Sequence, residues 1–314
     1  MSRRAWAELL ILSALWGSSY LFISVALEGV GPVFLAFARI AGAALLLLPI
    51  AWRRRATLAG RWRYLPFLAL PQVALPFVLI SAGEQHIASG LAGTLVATAP
   101  LWLVVLGPVL ALGRPTAQAL GGTLVGLVGV GILLGGVGTG QTVHGLGAAM
   151  VVAAAVCYAV GMALVRRWMS GVDPIALTAA TMATAAVLLL PAGLVDLPAQ
   201  PPGGAAAAAL AALAVACTAG AFVLYNRLIA DVGPQRASLV AYIAPVFAVA
   251  YGVVLLDEPV GVGAFVGLGL ILAGSWACRR KPKVRTLPAD KSDATVEAIS
   301  RAGNVGAMPK RHLS

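Results

Sequence analysis

Ala99-Pro100-Leu101-Trp102 is followed 145 residues later by Ala244-Pro245-Val246-Phe247. Leu46-Leu47-Leu48-Pro49 recurs in the same way, 142 residues on, as Leu188-Leu189-Leu190-Pro191. Two motif pairs at almost the same offset indicate an internal duplication. The sequence therefore predicts two repeats, over residues 1–140 and 141–279, which share one plan.

The composition indicates that both repeats lie in a membrane. Hydrophobic residues make up 60% of the 314 residues, charged residues only 11%, and the mean hydropathy is +0.93. Soluble domains carry about 25% charged residues, so the composition excludes a cytosolic enzyme, a disordered chain and a coiled coil. Apolar runs of about 20 residues predict ten spans, near 6–27, 33–51, 64–83, 90–112, 117–136, 145–165, 175–195, 204–224, 237–256 and 260–278.

The number of spans in each half sets the relation between the halves. Because five is odd, the second repeat must enter the membrane from the side opposite to the first. The predicted fold is an all-α integral membrane protein, with ten transmembrane helices arranged as two inverted five-helix repeats. Inverted repeats are typical of secondary transporters, which bind substrate near the bilayer midplane between the halves.

The basic residues predict the orientation. Of the 22 Lys and Arg residues, 21 fall on one side of the predicted membrane, and the remaining one, Arg39, lies inside the second span. Positive residues concentrate in cytoplasmic loops, so both termini are predicted to be cytoplasmic in a multi-pass plasma-membrane protein. Residues 280–314 are expected to form a disordered basic tail. The net charge of +11 then needs no nucleic-acid partner and at most favours the anionic headgroups of the lipid bilayer.

Several motifs carry a family resemblance. They are Leu15-Trp16-Gly17-Ser18-Ser19-Tyr20, the stretch 83–92, Ala97-Thr98-Ala99-Pro100-Leu101-Trp102, the stretch 233–239 and Tyr242-Ile243-Ala244-Pro245-Val246-Phe247. In this order they resemble EamA-type transporters of the drug/metabolite transporter superfamily. The resemblance implies ten helices and transport of small metabolites, amino acids or toxic compounds. One departure is Gly113-Arg114-Pro115, where the family usually carries a Gly-Glu pair.

Five side chains are predicted to bind the substrate. Arg39 is the one cation inside a span, and such a residue faces the interior or reaches for the headgroups; an anion contact and a structural hydrogen-bond hub both remain open. The aromatic candidates are Trp16, Trp102, Tyr158 and Tyr242. Trp16 and Tyr158 are repeat equivalents, as are Trp102 and Phe247. Packing within the bundle is the alternative for each ring.

Four residues are predicted to gate or hinge the pathway. Glu84 and Gln85 lie at the outer end of the third span, as a polar gate or a solvated loop. Pro100 and Pro245 lie inside the fourth and ninth spans, where proline removes a backbone hydrogen bond. The carbonyls freed in this way need another partner in lipid, which predicts a cavity or hinge, or alternatively a sealed kink.

The predicted cargo follows from the acidic residues. None of the 11 lies at a predicted midplane, which favours a neutral, zwitterionic or anionic metabolite moved by facilitated transport or exchange. Neither a cofactor nor a metal is expected. The sequence lacks the HExxH and GxSxG motifs, so a membrane-embedded enzyme is disfavoured, and a passive channel is the other alternative.

Glycine spacing suggests a partner as well. The GxxxG motifs that start at Gly122, Gly131 and Gly263 lie in the fifth and tenth spans. Such spacing lets helices approach closely, either within one chain or across a homodimer through helices 5 and 10.

Overall fold

The chain folds into a set of apolar helices. The computed structural model describes residues 1–110, 112–135 and 144–279, and all regular structure within those ranges is helical. Eight helical stretches within these ranges are long and apolar enough to cross a membrane. They are Arg3–Leu27, Pro32–Leu58, Trp62–Glu84, Ser89–Leu106, Ala117–Leu134, Gly145–Trp168, Pro174–Val195 and Gly204–Val232. Two shorter apolar helices are Val240–Leu255 and Val262–Cys278.

The α-helices are numbered here in chain order. They are α1 (Arg3–Leu27), α2 (Pro32–Ala51), α3 (Leu65–Ala69), α4 (Leu75–Glu84), α5 (Ser89–Val96), α6 (Ala99–Leu106), α7 (Ala117–Leu134), α8 (Gly145–Trp168), α9 (Pro174–Val195), α10 (Gly204–Ala214), α11 (Ala221–Val232), α12 (Pro234–Ala237), α13 (Val240–Leu255) and α14 (Val262–Arg279).

The all-helical, multi-pass prediction is confirmed for the described residues. Each of the ten predicted segments corresponds to one helix or to a helix with an interruption. The largest difference is in the eighth segment, which continues through α11 to Val232 instead of ending near residue 224. The predicted tail, residues 280–314, lies outside the described residues.

Two segments of the described chain contain a π-helical turn. One turn, Leu70–Ala74, joins α3 to α4, and the other, Val215–Gly220, joins α10 to α11. Pro71 explains the first, because proline cannot donate to the regular ladder; the second contains no proline. The turns begin 145 residues apart, which is also the offset between Pro100 and Pro245. Such turns widen the helix locally and occur often at functional sites.

The helices pack in defined pairs. The most extensive contacts join α7 to α14, α2 to α9 and α1 to α13. Glycines bring α7 and α14 together: a Cβ atom at Gly122 would lie 2.7 Å from the carbonyl oxygen of Gly274, and one at Gly129 would lie 2.7 Å from that of Gly267. The small residues of the fifth and tenth spans, α7 and α14, thus pack against each other within one chain. A homodimer through these two helices stays a prediction.

The outer surface of the bundle is strongly apolar. Val187, Val195, Val254 and Val262 are each at least 70% exposed, and many leucines lie beside them. A soluble monomer rarely exposes apolar patches of more than a few hundred Å². In a membrane this surface faces lipid tails, which agrees with a multi-pass membrane protein.

Candidate functional site

A buried arginine lies where four helical segments meet. Arg39 projects from α2 and is only 7% exposed. Its Nε donates to Thr218 Oγ1 at 2.8 Å, and its Nη2 donates to Ser19 Oγ at 3.4 Å. The guanidinium carbon lies 4.4 Å from the centre of the Phe77 ring. Residues of α1, α2, α4 and the second π-helical turn therefore surround one cation.

The partners of this cation are neutral. The ion pairs within the described ranges are Arg4–Glu8 and Arg54–Asp173, so Arg39 has no carboxylate in salt-bridge contact there. A charged group in the membrane interior is costly, and such groups usually pair or serve a function. A planar guanidinium that lacks a carboxylate partner is suited to receive one from a ligand.

Two tyrosines adjoin the arginine. Tyr158 on α8 packs between two apolar clusters, one built around Ile23, Ala154 and Leu213 and the other around Ile40 and Met182. Tyr20 on α1 packs against the first of these clusters. Both hydroxyls interact electrostatically with Arg39. Of the predicted aromatic residues, Tyr158 is the one that packs against the cluster containing Phe77, over whose ring Arg39 lies.

The remaining predicted aromatic residues lie elsewhere. Trp16 packs with the rings of Phe222 and Tyr225 on α11, at centroid distances of 5.8 and 5.2 Å. Trp102 donates from Nε1 to Thr98 at 3.1 Å, within its own segment.

Tyr242 donates to the carbonyl of Ser275 at 3.0 Å and packs edge-on against Trp276. These contacts hold Trp16, Trp102 and Tyr242 in separate packing environments. Their role as substrate contacts stays a prediction.

The predicted pair Glu84 and Gln85 is divided by the end of α4. Gln85 is exposed. Both carboxylate oxygens of Glu84 are buried and have no hydrogen-bond partner among the described residues. The sequence placed Glu84 correctly at a helix end, but the direction of its side chain follows from the packing of α4 against α8, α2 and α1.

The two predicted hinge prolines differ in structure. Pro245 lies inside the continuous helix α13. The fourth segment is instead interrupted at Ala97–Thr98, and Pro100 lies in the first turn of α6. Its missing N–H costs little there, because the first turn of a helix has no acceptor for it. Pro100 thus lies inside the fourth span, Ser89–Leu106, as predicted, but beside a break in the helix. Its role as a hinge stays a prediction.

A carboxylate caps the N-terminus of α5, at the start of the fourth span. The backbone N–H groups of Ser89 and Gly90 donate to Glu258 Oε1 and Oε2 at 2.7 and 3.0 Å. Glu258 follows α13, so it joins the second half of the chain to the first turn of α5. A helix N-terminus favours such an anion. Asp196, after α9, caps α2 similarly by accepting from Val33 and Phe34 at 2.9 Å.

Sequence reasoning missed three groups of this site. Thr218, Ser19 and Phe77 contact Arg39, but none was a candidate. Two signals were available in the sequence. Ser19 belongs to the motif Leu15-Trp16-Gly17-Ser18-Ser19-Tyr20, and Thr218 is a polar residue among small apolar ones. The π-helical turn that orients Thr218 has no proline to mark it.

Comparisons with known proteins agree with this architecture. The EamA-like transporter family matches residues 5–135 and 145–278. A probable terminal-alkyne amino-acid exporter of Streptantibioticus cattleyicolor is 28% identical over 90% of this chain and 95% of its own length. An uncharacterized transporter of Archaeoglobus fulgidus is 24% identical over 88% of this chain and 99% of its own.

The inner membrane transporter YedA of Escherichia coli is 26% identical over 85% of this chain and 88% of its own. A protein crystal structure superposes with a TM-score of 0.63 at 19% identity, covering 89% of this chain and 97% of that one. At this identity the structural likeness supports the fold alone.

Proposed function

Because the chain belongs to the EamA-like transporter family, we propose that it is a secondary transporter of small organic metabolites such as amino acids, which works by alternating access. The transporters named among its relatives support this class over an enzyme. The relative named as an amino-acid exporter supports an amino acid as cargo and export as the direction.

The observation that carries the proposal is the buried Arg39, which has no carboxylate in salt-bridge contact among the described residues. A carboxylate of the cargo would form two parallel hydrogen bonds with a guanidinium, which is a strong and geometrically specific contact. Removing the carboxylate from water is costly, and the preformed cation offsets that cost inside the membrane. Thr218 and Ser19 hold the guanidinium in place, since each accepts one of its hydrogen bonds.

Alternating access requires two gates on opposite sides of the site. The two predicted repeats, 1–140 and 141–279, would supply them if they are inverted relative to each other. Two observations support this arrangement. The π-helical turns begin 145 residues apart, which is also the offset between Pro100 and Pro245. In addition, α2 pairs with α9, and α7 pairs with α14. We place flexible points at Pro245 and at the break before Pro100, and a polar gate at Gln85.

Orientation and assembly complete the proposal. We assign both termini to the cytoplasm from the distribution of Lys and Arg. A homodimer through the fifth and tenth spans, α7 and α14, would use their outward faces. On these faces a Cβ atom at Gly121, Gly131 or Gly269 would meet no other atom within 4 Å.

A flux assay with a panel of solutes tests the function. The purified chain in proteoliposomes should move at least one amino acid with saturable kinetics, and should accelerate exchange when unlabelled solute is present on the opposite side. Conductance that rises linearly with concentration, without exchange, would identify a channel instead. Absence of flux for every solute would contradict the proposal.

A further inference from the structure

Glu84 is a buried carboxylate that has no hydrogen-bond partner in the described part of the chain. Both oxygens are enclosed, and no donor within the described residues reaches them. Leaving an ionised carboxylate unpaired in a low-dielectric interior costs several kcal/mol. An arrangement this costly inside a membrane protein usually serves binding or transport. The position of Glu84 relative to Arg39 therefore indicates which kind of ligand group it binds.

Glu84 and the arginine site lie on one face of α4. Phe77, whose ring lies under the Arg39 guanidinium, precedes Glu84 by seven residues, or about two helical turns. Two turns place the Cα atoms about 10 Å apart along the axis. Arg39 and Glu84 also interact electrostatically with each other.

We propose that Glu84 binds the ammonium group of a cargo whose carboxylate rests on Arg39, so that the site selects molecules carrying both charges. The inference rests on the proposed transport function and assigns the second pole of the same site. In an α-amino acid the two charged groups are adjacent. One such molecule can therefore make a charge-assisted hydrogen bond of about 2.8 Å at each end: its ammonium donates to Glu84, and its carboxylate accepts from Arg39.

The other titratable groups near Glu84 are not suited to bind the ammonium group. Glu258 also interacts with Glu84, but each of its oxygens already accepts a backbone N–H of α5. The Tyr20 hydroxyl and Arg39 are the remaining titratable neighbours that interact with it. Between the two poles, Phe77 and Ile80 are buried apolar residues of α4. An apolar environment of this kind favours an apolar side chain on the cargo.

The test compares three probes that differ in charge. L-leucine carries both groups, N-acetyl-L-leucine lacks the ammonium and leucinamide lacks the carboxylate. The wild-type chain in proteoliposomes should prefer L-leucine over N-acetyl-L-leucine by about tenfold or more in kcat/KM, the scale of one charged hydrogen bond. Glu84→Gln should reduce this preference to within about threefold, and Glu84→Asp should retain part of it. The matched control is Glu28→Gln, because Glu28 is an exposed carboxylate.

Each outcome decides the assignment. An unchanged preference in Glu84→Gln, with a homogeneous elution profile and an unchanged Tm, would overturn the ammonium site. So would a variant that keeps its preference but loses acceleration by an imposed pH gradient, since Glu84 would then carry a proton instead. Saturable flux of other solutes but not of L-leucine would overturn this inference and leave the proposed function standing. No flux of any solute would overturn both.

Discussion

Arg39 Nε donates a 2.8 Å hydrogen bond to Thr218 Oγ1, which joins α2 to a π-helical turn 179 residues later in the chain. The bond fixes a cation among helices from both halves. A regular helix through 215–220 would change the direction of the Thr218 side chain, so the turn and the orientation of the guanidinium depend on each other.

Thr218→Val should weaken both folding and transport. The substitution keeps the shape of the side chain but removes the oxygen that accepts from Arg39, and a hydrogen bond to a charged group contributes about 1.5–3 kcal/mol. We expect Tm to fall by several degrees and the maximal flux to drop, whereas Thr218→Ser should retain both. Thr178→Val is the control, since Thr178 is only half-buried and its hydroxyl donates to the Pro174 carbonyl within its own helix. Equal effects of Thr218→Val and Thr178→Val on Tm and flux would contradict the role of this bond.

Gly122→Ala should destabilise the protein, while Gly131→Ala should not. Both glycines lie in α7, but a Cβ atom at Gly122 would lie 2.7 Å from the carbonyl oxygen of Gly274, whereas one at Gly131 would meet no atom within 4 Å. Alanine also favours a helix by about 1 kcal/mol over glycine, so Gly131→Ala should leave Tm unchanged or raise it. Thermal unfolding in detergent measures both. A lower Tm for Gly131→Ala alone would place the close contact on the other face of α7.

Glu258→Gln should loosen the connection between α13 and α5. The amide keeps one acceptor oxygen but loses the charge that interacts with the helix N-terminus, a contribution of about 1 kcal/mol. We expect a lower Tm and faster hydrogen exchange at Ser89 and Gly90, whose N–H groups donate to Glu258. Glu28→Gln again serves as the exposed control. Exchange rates that stay the same would show that the carboxylate does not hold this end of α5.

Cysteine labelling should reveal the orientation. In a background without Cys157, Cys217 and Cys278, Gln200→Cys should react with a membrane-impermeant reagent in intact cells, and Ala59→Cys should not. Both positions are exposed, so accessibility within the fold does not bias the comparison. The reverse labelling pattern would invert the assignment made from the basic residues.

Hydropathy and spacing predicted the helical segments well, because a membrane span requires about 20 apolar residues whatever its packing. The segment boundaries moved where tertiary contacts decided them, as at Val232 in α11. The candidate site was predicted only in part. A charge inside a span reveals Arg39, but its partner Thr218 depends on a helix irregularity that has no proline to mark it.

Side-chain direction explains the other difference. Sequence position placed Glu84 at a helix end and so among gate residues, yet its carboxylate turns into the interior. Likewise, repeat equivalence grouped Trp16 with Tyr158, but Trp16 packs against α11. A sequence determines directly which residues form a helix. Which neighbour each side chain contacts depends on how the helices pack.

The central claim is that Arg39 binds the carboxylate of a transported metabolite, and saturable flux of L-leucine into proteoliposomes tests it most directly. Arg39→Lys keeps the charge but removes the planar fork, and Arg39→Gln removes the charge. Arg166→Gln, an exposed arginine on α8, is the control. The account predicts that kcat/KM falls at least about tenfold in Arg39→Lys and further in Arg39→Gln, with Arg166→Gln unchanged. Wild-type flux in a folded Arg39→Gln protein would contradict it.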